Sequence, residues 1–200
     1  GQRAETTVTG VEMRTALSLR STTFEIIVTP RFEDVPVDAL FAGEILGLHD
    51  LGITSGCSLG EFCPERTVTR AEMAAFLVRA LGLSAAEGAN PFVDVDGHAL
   101  EAEISALQAS GITGGCTPTR FCPERAVTRA EMAAFVVRGF GSASAEATPF
   151  VDTDGHFFEA EISTLRAKGI TGGCTPTQFC PERAVTRAEM AAFLIRALAS

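Results

Sequence analysis

The sequence predicts a mostly α-helical repeat protein, three helix-loop-helix units closing around one shared centre behind a short N-terminal segment of another kind. Residues 111–135 read GITGGCTPTRFCPERAVTRAEMAAF and return at 169–193 with Arg120 alone changed, to Gln178. A more diverged copy, GITSGCSLGEFCPERTVTRAEMAAF, occupies 52–76. Self-similarity at such a period marks an architecture whose units bury their apolar faces against one another. With 46% hydrophobic and 20% charged residues, the chain has the composition of a folded protein.

Composition also excludes partners. A net charge of −9 opposes binding to phosphate backbones, which needs clustered Lys and Arg, so no nucleic acid is expected. No apolar run approaches the roughly 18 residues of a membrane span, so no membrane insertion is expected. The chain opens at Gly1 without a basic and then apolar leader, which predicts a processed chain or a fragment.

Residues 1–29 stand outside the repeat, with a short helix expected at 11–17 and a β-branched strand at 22–28. Such a segment cannot bury a core alone. Residues 9–24, TG-x-E-x-R-x-x-L-x-LRST-x-F, resemble the C-terminal end of the SpoIID/LytB family of peptidoglycan-acting proteins. That resemblance implies a catalytic portion upstream of Gly1; the alternative is a linker and strand of no particular ancestry.

Three repeats follow, at 30–88, 89–146 and 147–200. Each opens on an aromatic, an acid and a turn (Phe32 and Asp34, Phe92 and Asp94, Phe150 and Asp152), with Pro30, Pro91 and Pro149 as punctuation. A first helix is expected where Phe41, Ile45 and Leu48 recur at helical spacing, matched by Leu100, Ile104 and Leu107 and by Phe158, Ile162 and Leu165. Gly52, Gly111 and Gly169 should end it as left-handed caps. The second helix is announced by T-x-x-E boxes at Thr69 and Glu72, Thr128 and Glu131, and Thr186 and Glu189, in which hydroxyl and carboxylate satisfy each other's orphan amides. Its apolar stripe runs through Met73, Phe76, Leu77 and Ala80, then Met132, Phe135, Val136 and Gly139, then Met190, Phe193, Leu194 and Ala197, and reads as core rather than as a ligand box.

All six cysteines fall as C-x5-C pairs: Cys57 with Cys63, Cys116 with Cys122, and Cys174 with Cys180. Pairing within each repeat is the simplest connectivity and would staple one loop three times in an oxidising, extracellular setting. Zinc is disfavoured, because two thiolates per unit are too few and His98 and His156 lie well upstream. No His or base recurs beside the thiols, so they are expected to be structural rather than nucleophilic.

Arg70, Arg129 and Arg187 have no such ready role, since the macrodipole disfavours a cation in the first turn of a helix. A guanidinium beside open helix amides would suit a carboxylate-bearing ligand. A salt bridge to Glu65, Glu124 or Glu182 is the competing explanation.

The combination of F-x-D-V, G-I-T-x-G, F-x-P and V-T-R-A-E at matched distances resembles the S-layer homology (SLH) domain, in three copies over 31–199. The resemblance implies a three-pronged helical bundle and noncovalent binding of a secondary cell-wall polysaccharide, often pyruvylated, in grooves between repeats. It implies as ligand-binding residues Arg70, Arg129 and Arg187, with Asp34, Asp94 and Asp152 and the loop glycines Gly56, Gly115 and Gly173. The family's Trp falls at Leu40, Ala99 and Phe157, so Phe157 is the one aromatic retained; the sequence holds no Trp or Tyr. The cysteine pairs are a second departure from the family's pattern.

Asp94, Asp96 and Gly97, like Asp152, Asp154 and Gly155, superficially suggest a calcium loop, but later ligands and a closing Glu are missing, so no metal and no cofactor are expected. Three near-equal copies suit repeated binding better than one asymmetric catalytic centre. The leading expectation is therefore a non-enzymatic anchor on the cell wall or S-layer, with wall polysaccharide as partner and S-layer or wall proteins as further contacts. A part of a peptidoglycan-remodelling enzyme, or a surface protein-interaction module without sugar, stands as the alternative.

Overall fold

In the computed structural model, residues 31–84, 91–141 and 150–200 are described. The helix and strand expected at 11–17 and 22–28, the SpoIID/LytB likeness, Pro30 and Pro149 lie outside them. Six helices alternate short and long among the described residues: α1 (Ala42–Asp50), α2 (Arg70–Leu81), α3 (Glu101–Ala109), α4 (Arg129–Phe140), α5 (Glu159–Ala167) and α6 (Arg187–Leu198).

Local chemistry sets their ends. The short helices end two residues before Gly52, Gly111 and Gly169, whose φ values of 70°, 75° and 70° are cheap only for glycine. All three long helices carry complete capping boxes, the Thr69, Thr128 and Thr186 hydroxyls accepting from the Glu72, Glu131 and Glu189 amides while those carboxylates accept from the Thr amides.

Packing interlocks the repeats. Each short helix lies not on the long helix of its own repeat but on that of the preceding one: α3 on α2, α5 on α4, and α1 on α6. The last pairing joins the two ends of the chain into a ring, inside which α2, α4 and α6 touch one another. Met73, Met132 and Met190, with Leu77, Val136 and Leu194, are buried at this centre.

A cycle of backbone bonds repeats the closure. Val68 N–H donates to Val185 O at 3.0 Å, Val185 to Val127 O at 2.9 Å, and Val127 to Val68 O at 2.9 Å. The first two amides of each long helix likewise donate to the following repeat: Arg70 and Ala71 to the Arg125 and Pro123 carbonyls, Arg129 and Ala130 to Arg183 and Pro181, Arg187 and Ala188 to Arg66 and Pro64. The helix amides expected to be open to a ligand are thus already occupied by neighbouring carbonyls.

Between the helices, disulfides Cys57–Cys63, Cys116–Cys122 and Cys174–Cys180 span equal Cα–Cα distances of 6.0 Å. Each closes a loop around a fully buried phenylalanine: Phe62, Phe121 or Phe179.

Candidate functional site

Three grooves lie at the joints of the ring, and each draws on all three repeats. The first is lined by Arg70 from α2, by Thr113, Gly114 and Gly115, by Glu131, Phe135 and Arg138 of α4, and by Phe158 at the start of α5. Its counterparts have Arg129, Gly173, Glu189, Phe193, Arg196 and Phe41, and Arg187, Gly56, Glu72, Phe76, Arg79 and Leu100. Every groove sets two guanidiniums against one lining carboxylate, on a chain whose net charge is −9.

The inner arginine is buried; Arg70, Arg129 and Arg187 are 2–3% exposed. Nε of each donates at 2.7 Å to the carbonyl of the buried phenylalanine in the next disulfide loop: Phe121, Phe179 and Phe62 in turn. The guanidinium carbon of Arg70 sits 4.8 Å from the Phe121 ring centre and 5.3 Å from that of Phe135, an arrangement kept at the other two joints. Burial pushes the pKa of all three below the ordinary arginine value, and the facing glutamate partly restores it.

Ion pairing does occur, with partners other than those expected. Arg70 meets Glu131 at 3.2 Å, Arg129 meets Glu189 at 3.4 Å and Arg187 meets Glu72 at 3.8 Å. Glu124 and Glu182 pair instead with His98 and His156, each at 3.0 Å. One capping glutamate therefore serves three groups: the Thr amide, the buried arginine of the preceding repeat, and the exposed Arg66, Arg125 or Arg183 of its own.

The other expected site residues divide. Gly56, Gly115 and Gly173 line the grooves, and a Cβ on Gly115 would stand 2.5 Å from the carbonyl oxygens of Thr117 and Arg120. Asp34, Asp94 and Asp152 hold the disulfide loops. Both oxygens of Asp94 accept backbone N–H bonds, from Phe121 at 2.8 Å and Cys122 at 2.9 Å, and the other two repeat this on Phe62 and Cys63 and on Phe179 and Cys180. One of the two amides in each pair belongs to a cysteine at φ 58°, a left-handed conformation that needs such support. Burial pushes the Asp94 carboxyl up, but the Phe121 and Cys122 amides, with its own amide and the Arg120 charge, bring it below the ordinary aspartate range.

Phe157 requires a correction. It is 87% exposed, its ring edge-on to Phe158 at 4.8 Å, and Phe158 is the ring on the groove. Successive residues entering a helix point about 100° apart, so of the two adjacent rings only the second faces the groove. The aligned positions are Phe41, Leu100 and Phe158, which the sequence pattern had marked as the first members of apolar stripes. Phe76, Phe135 and Phe193, expected as pure core, are 4–5% exposed and also form groove walls.

The second arginine of each groove was missed altogether. Arg79, Arg138 and Arg196 stand at the same place near the end of each long helix, a threefold recurrence that was the available signal.

The S-layer homology domain model matches residues 31–74, 91–133 and 149–191. The chain belongs to the SLH family. It is similar to an S-layer protein of Bacillus thuringiensis subsp. finitimus, with 30% identity over 82% of this chain and 21% of that protein. It is also similar to a cellulosome-anchoring protein of Acetivibrio thermocellus (31% identity; 70% of this chain and 34% of that one) and to an endoglucanase of Bacillus sp. strain KSM-635 (36%; 54% and 12%). The match thus spans about a third or less of each relative's length. SLH repeats are a non-catalytic module that accompanies surface-layer, anchoring and enzymatic proteins alike, and membership places this chain at the cell wall or S-layer. The match begins at residue 31, so the SpoIID/LytB likeness of 9–24 receives nothing from it.

Proposed function

We propose that these SLH repeats anchor a secreted, wall-associated protein noncovalently by holding an anionic secondary cell-wall polysaccharide in the grooves between repeats. The observation that carries this reading is the recurrence, at all three joints of an acidic chain, of two arginines beside a glycine loop and an apolar wall. A guanidinium fixed by a backbone carbonyl and two rings is preorganised for a carboxylate such as that of a pyruvate ketal. The glycine loop lets a sugar approach the backbone, and the Phe or Leu wall offers a face to its ring. A SpoIID/LytB-like catalytic portion upstream of Gly1 would make the anchored cargo a peptidoglycan-remodelling enzyme.

Sedimentation with purified cell-wall sacculi tests this, before and after removal of the secondary polysaccharide, for the wild type and for Arg79→Ala with Arg138→Ala and Arg196→Ala, which remove the half-exposed groove arginines and leave the buried ones in place. The expected result is binding that needs both polysaccharide and arginines. Binding that survives stripping of the polysaccharide refutes the reading and favours a protein partner.

A further inference from the structure

We infer that the three grooves are not equivalent: the one between the third and first repeats admits an acidic sugar residue, and Leu100, where the other grooves carry Phe158 or Phe41, decides that admission. This rests on the anchoring reading and deepens it.

Size separates the grooves first. The Arg187 groove has a volume of about 240 Å³, against about 50 Å³ for the Arg70 groove and about 60 Å³ for the Arg129 groove. The smaller two hold little more than a few waters. In them the outer arginine lies against a ring, the Arg138 guanidinium 5.8 Å from the Phe158 ring centre and that of Arg196 5.6 Å from the Phe41 ring centre. Those arginines also have carboxylates in reach, Glu161 at 3.5 Å and Glu44 at 3.0 Å. Arg79 has the smaller Leu100 beside it, with no ring among the described residues against its guanidinium, and reaches Glu103 only at 4.0 Å.

The inner arginine differs in the same direction. Its pairing to the capping glutamate is the longest of the three, 3.8 Å in place of 3.2 or 3.4 Å. Nη2 of Arg187 is buried with no hydrogen-bond partner, in a residue 2% exposed that lines this groove. A buried guanidinium nitrogen without an acceptor is costly, and a carboxylate that supplies one is bound with that gain. Room, an unsatisfied donor and a second guanidinium with no ring against it thus coincide at one joint of an otherwise threefold ring.

The intact, oxidised chain is titrated with D-glucuronate as an acidic sugar and D-glucose as the neutral control, by calorimetry and by shifts of the arginine Nε–H resonances. The wild type is expected to bind one equivalent of glucuronate at millimolar concentration and to discriminate against glucose. Leu100→Phe should weaken glucuronate by about tenfold or more, as should Arg187→Lys, which keeps the charge but removes Nη2 together with the Nε–H bond to Phe62 O, so that its fold is verified by circular dichroism as well. Phe158→Leu should leave it undiminished. The equivalent position already holds phenylalanine in the third repeat, so Leu100→Phe is expected to fold, as circular dichroism would verify. No glucuronate binding, three equivalents, or a loss that follows Phe158→Leu in place of Leu100→Phe overturns the assignment. Sacculi separate the two readings. A chain that takes glucuronate through Leu100 and Arg187 but ignores walls refutes the anchor alone, and wall binding untouched by Leu100→Phe refutes the groove assignment alone.

Discussion

Replacing Arg129 with alanine should be among the most damaging single changes available to this chain. The side chain is 3% exposed, donates Nε–H at 2.7 Å to Phe179 O, meets Glu189 at 3.4 Å and lies between the Phe179 and Phe193 rings at 4.7 and 5.4 Å. Its removal strands a buried carbonyl that had a charge-assisted bond, costing about 1.5–3 kcal/mol. Loss of a desolvated cation from two ring faces adds about 1–2 kcal/mol. The expected destabilisation is then about 3–5 kcal/mol, in the range for breaking a buried ion pair by deleting one partner. Urea unfolding followed by circular dichroism, without reductant, measures it, with Arg129→Lys as the control that keeps charge but loses the planar fork. A loss below about 1 kcal/mol for the alanine variant would refute the idea that this arginine clamps one repeat to the next.

Serine at both Cys116 and Cys122 releases a constraint between residues six apart, worth about 2 kcal/mol by loop-closure entropy, so Tm should fall by about 4–8 °C. An unchanged melting curve would mean that Asp94, which holds the Phe121 and Cys122 amides, suffices to fix that loop. Acid should act through Asp94 and Glu72. Burial pushes both carboxyls up, but backbone amides, and for Glu72 the Arg66 guanidinium as well, bring them below their ordinary values of 3.8 and 4.5. Because the folded pKa values lie below the unfolded ones, their contribution is complete above about pH 5 and is lost as pH falls from that ordinary range through the lower folded values. The urea midpoint should therefore stay level from about pH 5 to 7 and drop below about pH 4.5; a midpoint that rises on acidification would contradict the sign.

The parts of this fold that were legible in advance rest on short-range chemistry. Thr128 and Glu131 cap one helix because their spacing brings hydroxyl and carboxylate to the same turn, and Gly111 ends another because its φ of 75° suits no other residue as well. The arginine was recognisable as a residue without a local reason, but its partners were not. Arg129 bonds a carbonyl 50 residues away and Arg187 one 125 residues away, and no local pattern encodes such a distance. The occupied helix amides escaped detection for the same reason, since their acceptors belong to the next repeat.

What the sequence by itself determined is the unit: three copies, their helix caps, their stapled loops and the family they belong to. Tertiary structure decided how the copies interlock, with each short helix on the preceding long one and α1 closing onto α6. It also decided that Asp94 holds a loop, that Phe158 rather than Phe157 faces a groove, and that Arg79, Arg138 and Arg196 complete the three grooves. The physical reason is that a cap or a turn is satisfied within one helical turn, whereas each groove exists only where three segments, distant along the chain, bury their apolar faces together.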